Sequence, residues 1–261
     1  MGLRELFRRP RKAPDELPEL LRGAFAGDGV EKAMIETAAA VFGLGRFVET
    51  GTYIAKTTLW LATTFPEAPV LTCELMPDLY QAARERLRPF ANVQCSLGDS
   101  APWIAEVCRT KDDGVATFFF LDAHGMTDDW PSEPPLRDEL RAILAMSTPS
   151  VVVIDDFQVP GRPDFAFMVD GHGTSSSVPE EERLALPNAL CLDTVADLLG
   201  PDDTVLFPDY TYADAVRLQP DPLFDHLIGY VVVLHAVDAE ARRRFLGSDL
   251  VRRHYARATN G

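Results

Sequence analysis

Five short apolar, β-rich runs recur along this chain at 46–49, 70–74, 93–96, 117–122 and 151–155, and each ends at or beside an acid. Helix-like amphipathic segments lie between them at 57–64, 79–87, 101–108 and 136–146. Strands that alternate with helices imply βαβ crossovers, so the expected fold is α/β with a mostly parallel, Rossmann-like doubly wound sheet. A further helix, 192–199, precedes two more apolar runs at 204–207 and 229–236. These two are close together without a long helix between them. They are expected to pair antiparallel at one edge, completing seven strands.

The flanks read differently. Residues 1–14 form a basic leader, and 15–44 show helical spacing of apolar residues, giving an N-terminal unit over 1–44. The main domain is expected over 45–240, with a basic C-terminal helix or tail over 241–261. The segment 159–187 breaks the strand–helix rhythm with Pro160, Gly161, Pro163, Gly171, Gly173, Pro179 and Pro187. It directly follows a strand end, where open α/β sheets bind ligands, so it is expected to be a substrate lid.

The chain carries 40 Asp and Glu against 25 Lys and Arg, a net charge of -15. Such a surface repels phosphate backbones and anionic membranes, so neither nucleic acid nor a membrane is an expected partner. Cys73, Cys95, Cys108 and Cys191 include no C-x-x-C pair and read as free thiols in a reducing compartment. The N-terminus lacks an apolar targeting core, and no apolar run approaches membrane-spanning length. A cytoplasmic location is expected, and a homo-oligomer is compatible with the sequence.

The acids at the run ends are Glu49, Glu74, Asp99, Asp122 and the pair Asp155-Asp156. In a parallel sheet they share one edge, where uncompensated carboxylates raise one another's pKa unless a ligand or cation intervenes. Each also has a simpler reading. Glu49, Glu74 and Asp99 could cap the helices that follow. His124 could be a general base or a structural residue, and His172 could touch substrate or lie in a surface loop. Trp130, Phe157, Phe165 and Phe167 could wall a substrate pocket or simply pack.

Taken together, these residues resemble the class I S-adenosylmethionine-dependent methyltransferases. Phe47-Val48-Glu49-Thr50-Gly51-Thr52 resembles the first motif of that family, Glu74 its ribose-binding acid, and Gly98-Asp99-Ser100 its adenine-binding motif. Phe118-Phe119-Phe120-Leu121-Asp122-Ala123-His124 resembles the fourth motif, beside the reacting methyl. The resemblance spans about 45–157. It implies a cofactor site of Glu49, Gly51, Thr52, Tyr53, Thr57, Thr58, Glu74, Asp99, Ser100 and Asp122. Many members carry a glycine where Ala55 or Lys56 stands. A dinucleotide site is disfavoured because G-x-G-x-x-G is missing.

Within the family, Asp122, Asp155 and Asp156 resemble the divalent-metal site of catechol-type and macrolide-sugar O-methyltransferases. The resemblance implies Mg²⁺, which would lower the pKa of a hydroxyl and fix it in line with the methyl donor. Asp122 and His124 are the catalytic candidates, and the expected acceptor is a hydroxylated small molecule such as a sugar or natural product. Two alternatives stand beside this one. One is a cofactor-binding accessory protein without transfer activity; the other is a methyltransferase-like fold used for different chemistry, as in cephalosporin hydroxylase-type enzymes.

Overall fold

The computed structural model describes residues 19–124, 135–169, 173–185 and 190–258. Trp130 and His172 lie outside these. The first five strands are β1 (Arg46–Thr50), β2 (Val70–Glu74), β3 (Val93–Leu97), β4 (Thr117–Leu121) and β5 (Ser150–Ile154). Helix α1 (Gly29–Phe42) precedes them, and α2 (Lys56–Thr64), α3 (Pro77–Leu87), α4 (Ser100–Lys111) and α5 (Leu136–Leu144) connect them. The segment after β5 contains three two-residue strands, β6 (Phe165–Ala166), β7 (Met168–Val169) and β8 (Gly173–Thr174), then α6 (Glu180–Arg183) and α7 (Leu192–Val195). The chain closes with β9 (Thr204–Pro208), α8 (Tyr212–Leu218), β10 (Leu227–Ile228), β11 (Val231–His235), α9 (Ala239–Leu246), α10 (Asp249–His254) and β12 (Tyr255–Arg257).

The main sheet runs β3-β2-β1-β4-β5-β11-β9-β12. Strands β1 to β5 are parallel, and β11 is antiparallel to both β5 and β9. The chain therefore builds outward from β1 to β3, then returns to β4 and builds the other way. The reversal leaves a crevice between the carboxyl ends of β1 and β4, where sheets of this type bind ligands. Central strands β1, β4 and β5 are buried along their whole length, as helices on both faces require.

The seven expected strands are all present, and an eighth joins them. Strands β9 and β11 do pair antiparallel, with Val232 opposite Leu206. Helix α8 and β10 lie between them in sequence, which frees β11 to insert beside β5. The edge is instead taken by β12, from the basic C-terminal stretch. Its Tyr255 hydroxyl meets that of Tyr230 at 2.5 Å in a buried contact that holds the edge in place.

Ahead of α1 the chain forms two short 3₁₀ turns, Glu19–Leu21 and Ala24–Gly27, in place of a full helix. Phe25 and Ala26 are left-handed there (φ 51° and 50°). Phe25 is held by edge contacts to Trp60 and Phe120, with ring centroids 5.2 and 5.0 Å apart. Helix α1 begins at Asp28, whose carboxylate accepts from the amides of Val30 and Glu31 at 2.8 and 3.1 Å. It ends at Gly43 in the left-handed conformation a helix terminus favours.

A buried ion pair ties α1 to the C-terminal half. Lys32 Nζ lies 3.1 Å from Asp221 Oδ2, and both side chains are fully buried. The amides of Gly23 and Leu223 also donate to Asp221, at 2.8 and 3.0 Å. Removing one member strands the other charge in a site without water. Lys32→Ala is therefore expected to cost about 3–5 kcal/mol of stability, read by urea unfolding. A loss under about 1 kcal/mol would mean that the loop around Asp221 opens to solvent at little cost.

Candidate active site

The turn after β1 is built from alternating left-handed residues: Gly51 (φ 81°), Tyr53 (φ 46°) and Ala55 (φ 60°). Glycine suits all three positions, yet only the first is glycine. That first position has no room for a side chain. A Cβ on Gly51 would stand 2.3 Å from the Asp122 carbonyl oxygen and 2.8 Å from its carbon. The amides of Gly51 and Thr52 donate to the Cys73 carbonyl at 3.1 and 3.0 Å, and Asp122 N–H donates to the Thr50 carbonyl at 3.2 Å. The turn is thus clamped between the ends of β2 and β4.

Two acids brace this turn. Glu49 is buried, and its Oε2 accepts from the hydroxyls of Thr58 (2.5 Å) and Thr72 (2.8 Å). Thr52 continues the knot, its hydroxyl 2.6 Å from that of Thr72. Burial pushes the Glu49 carboxyl up to about 7 despite these bonds. Glu74 accepts from Tyr53 N–H at 2.7 Å through Oε2 and from Met76 N–H at 2.9 Å through Oε1. Each Glu74 oxygen keeps one lone pair for a further donor. Thr57 points toward the N-terminal turn, where its hydroxyl accepts from Phe25 N–H at 3.3 Å.

Around Glu74 the surface is apolar. Tyr53, Leu75, Met76 and Leu97 are all exposed, Tyr53 and Leu75 by more than half. Leu97 ends β3 directly opposite Glu74. Sequence reading missed Leu75, Met76 and Leu97; the available signal was large apolar residues just beyond polar strand ends. Asp99 is exposed and caps α4, accepting from Ala101 N–H at 3.1 Å, while Ser100 is buried in the first turn of that helix.

On the other side of the crevice stand Asp122, His124 and Asp156. One ligand-capable atom from each lies within 4.8 Å of the others. His124 Nε2 is 3.9 Å from Asp122 Oδ1 and 3.9 Å from Asp156 Oδ2. The His124 side chain is only 3% exposed, and Nε2 has no hydrogen-bond partner among the described residues. The Asp155 backbone engages the ring, and burial pulls the imidazole down to about 4, so it is neutral at pH 7. Asp156 sits in a left-handed conformation (φ 52°), and burial raises its carboxyl to about 6.

Asp155 stands outside this trio, so the structure groups His124 with Asp122 and Asp156 where the sequence reading placed Asp155. Asp155 nonetheless stays within reach of the cluster electrostatically: of the charges acting on Asp122, that of Asp155 comes first and that of Asp156 second. Its charge also bears on Glu31 of α1, a buried carboxyl whose Oε1 has no partner among the described residues and whose pKa is raised well above the usual range by burial and by Asp155. Partial burial, followed by the charges of Asp155 and Asp156, likewise raises Asp122, whose side chain is still 36% exposed. The edge therefore concentrates negative charge, with the nearby Lys32 already committed to Asp221.

One more acid was missed. Glu139 of α5 is buried, with neither carboxyl oxygen hydrogen-bonded, and the hydroxyls of Ser100 and Thr50 lie beside it. Burial raises it to about 7. Both Glu31 and Glu139 sit on apolar helical stripes: Glu31 with Ile35 and Ala38, Glu139 with Leu136, Leu140 and Ile143. An acid on such a stripe is the signal that sequence reading passed over.

No family model matches this chain, and no curated protein does. Among solved structures it is similar to the O-methyltransferase TomG from Streptomyces achromogenes, involved in tomaymycin synthesis and solved with SAM. That pair shares 17% identity over 84% of this chain and 91% of TomG, with a TM-score of 0.45. A putative O-methyltransferase from Klebsiella pneumoniae shares 16% identity over 81% of this chain and 80% of its own, with a TM-score of 0.47. An O-methyltransferase from Bacillus cereus in complex with SAH shares 15% over 80% and 90%, with a TM-score of 0.46.

Two outcomes are expected from the site's packing. Gly51→Ala should push the turn away from Asp122 and destabilise the protein by about 2 kcal/mol or more, measured by thermal unfolding. A carboxyl raised by burial contributes stability that is present below its unfolded value and lost as pH rises through its folded value. The stability of Glu139→Gln relative to the parent should therefore rise by about 2–3 kcal/mol between pH 5 and pH 8 in urea unfolding. An equal change at both pH values would show that burial does not hold Glu139 protonated.

Proposed function

We propose that this protein is an S-adenosylmethionine-dependent O-methyltransferase acting on a hydroxyl of a small molecule, with a sugar or other natural product as acceptor and a divalent cation assisting. The observation that carries the reading is the backbone contact of Gly51 with Asp122. It makes the glycine turn and the Asp122–His124–Asp156 cluster two walls of one crevice, as transfer from a bound donor to a bound hydroxyl requires.

The residues divide the work. The backbone of 51–55 and the free lone pairs of Glu74 would hold the polar parts of the cofactor, with Tyr53, Leu75, Met76 and Leu97 against its apolar faces. Asp99 and Ser100 would border the adenine. Glu49, Thr52 and Thr58 serve from beneath by fixing the turn, since their polar atoms are engaged with one another. Bound there, S-adenosylmethionine supplies an electrophilic methyl on sulfur. A divalent cation held by Asp122 and Asp156 would supply Lewis acidity toward the acceptor hydroxyl. The one lone pair of neutral His124 at Nε2 faces the same point, where it could accept the hydroxyl proton only in the absence of a cation bound to that nitrogen. The segment 159–187 would close over the acceptor, and the free thiols suit a cytoplasmic setting.

Calorimetry should show S-adenosylmethionine and S-adenosylhomocysteine binding, weakened about tenfold or more by Glu74→Ala. Incubation with S-adenosylmethionine and a panel of sugars and polyols should release S-adenosylhomocysteine. Asp156→Ala should remove that release while changing cofactor affinity by less than about threefold. Failure of the parent to bind either cofactor form would sink the reading.

A further inference from the structure

We infer that His124 is a metal ligand, and that Asp122, His124 and Asp156 form a mixed nitrogen–oxygen site selecting a divalent transition ion such as Mn²⁺, Fe²⁺, Co²⁺ or Zn²⁺ over Mg²⁺. The inference rests on the cation assistance proposed above and specifies its ligands and its metal class.

The geometry supports it in three ways. The Nε2 atom is buried, unpartnered and placed 3.9 Å from one oxygen of each aspartate. A buried nitrogen with no hydrogen bond is costly, and no described residue relieves it. Ligand atoms bonded at about 2.0–2.1 Å to a tetrahedral ion stand about 3.3–3.4 Å apart, so a contraction of about half an ångström by side-chain rotation would bring all three atoms onto one ion. The ring's engagement with the Asp155 backbone orients it, in the manner of the outer contacts that fix metal-binding histidines.

The donor set then decides the metal. An all-oxygen site of carboxylates and water suits Mg²⁺, which is hard and holds its hydration shell. An imidazole nitrogen shifts preference toward borderline transition ions. Asp155, which would have completed a three-carboxylate site, is not among the converging ligand atoms, and its charge bears on both Asp122 and Glu31. Its negative charge still favours a cation nearby without supplying a ligand atom. His226, the other described imidazole whose charge bears on Asp156, is half-buried and hydrogen-bonded to Asp225 at 2.5 Å, and it lies outside the cluster.

The test uses the full-length protein and metal alone. Calorimetry should find one equivalent of Mn²⁺ bound at least about tenfold more tightly than Mg²⁺. Pulsed electron paramagnetic resonance of the Mn²⁺-loaded parent should show a directly coordinated ¹⁴N, a readout that needs no variant. His124→Gln should abolish that nitrogen signal and weaken Mn²⁺ by about tenfold or more, while Asp155→Asn, which removes a charge and no ligand atom, should still bind Mn²⁺ and keep the nitrogen signal. Circular dichroism melting of each variant checks that it is folded. If Mg²⁺ and Mn²⁺ bind equally, no ¹⁴N coupling is seen and Asp155→Asn abolishes binding, the site is an all-carboxylate one. This inference then fails while cation assistance stands. If neither ion binds, both fall, and S-adenosylmethionine titrated into the same samples reports separately on the cofactor reading.

Discussion

The contact between Gly51 and the Asp122 backbone is the constraint on which the candidate site depends. It lies where the sheet reverses direction, between the carboxyl ends of β1 and β4. The lack of a side chain at 51 lets the two strand ends close to a distance no other residue permits. The left-handed turn that follows then passes beneath Glu74, while Asp122 is aimed at His124 and Asp156. A larger residue at 51 would separate the halves of the crevice. The alternating left-handed positions at 53 and 55, filled by tyrosine and alanine, are held against their own preference by the Cys73 carbonyl, the Glu74 carboxylate and complete burial of Ala55.

Around that contact the protein buries an unusual amount of acid. Glu31, Glu49 and Glu139 are all enclosed, and desolvation raises each of them. Hydroxyls satisfy Glu49, whereas among the described residues an oxygen of Glu31 and both oxygens of Glu139 lack a partner in good hydrogen-bond geometry, the Ser100 and Thr50 hydroxyls lying only beside Glu139. Behind Glu31, Asp28 accepts from the Tyr210 hydroxyl, which continues through Tyr230 to Tyr255. This polar seam joins the start of α1 to the far edge of the sheet. Free energy withheld from stability in this way is characteristic of a region shaped for a ligand, where unmatched groups await partners from outside the fold.

Much of this was legible in the chain. The strand–helix alternation located β1 to β5 to within a residue or two, because runs such as 118–121 and 151–154 are apolar throughout and can only be central strands. The clustering of acids at one edge followed from the parallel arrangement. Other features were hidden for physical reasons. Helix α8 lies in a stretch whose polar surface masks its period, so β9 and β11 looked like an edge hairpin. Strand β12 is only three residues long and is held by a hydroxyl contact between residues 25 apart. Asp155 and Asp156 look equivalent in sequence, yet Asp156 takes a left-handed backbone, and His124 joins it and Asp122 in the converging trio.

By itself, the sequence determined the fold class, the position of each central strand and the residue types delivered to the sheet's carboxyl edge. These depend on local periodicity and on burial of apolar side chains, which neighbouring residues specify. Only the tertiary structure decided which carboxyls are paired, which are stranded and which atoms converge on one point. Those outcomes depend on the register between β1 and β4, on the turn that inverts Asp156 and on α1 folding back to bring Glu31 against Asp155. None of these distances is encoded within a window of sequence short enough to read.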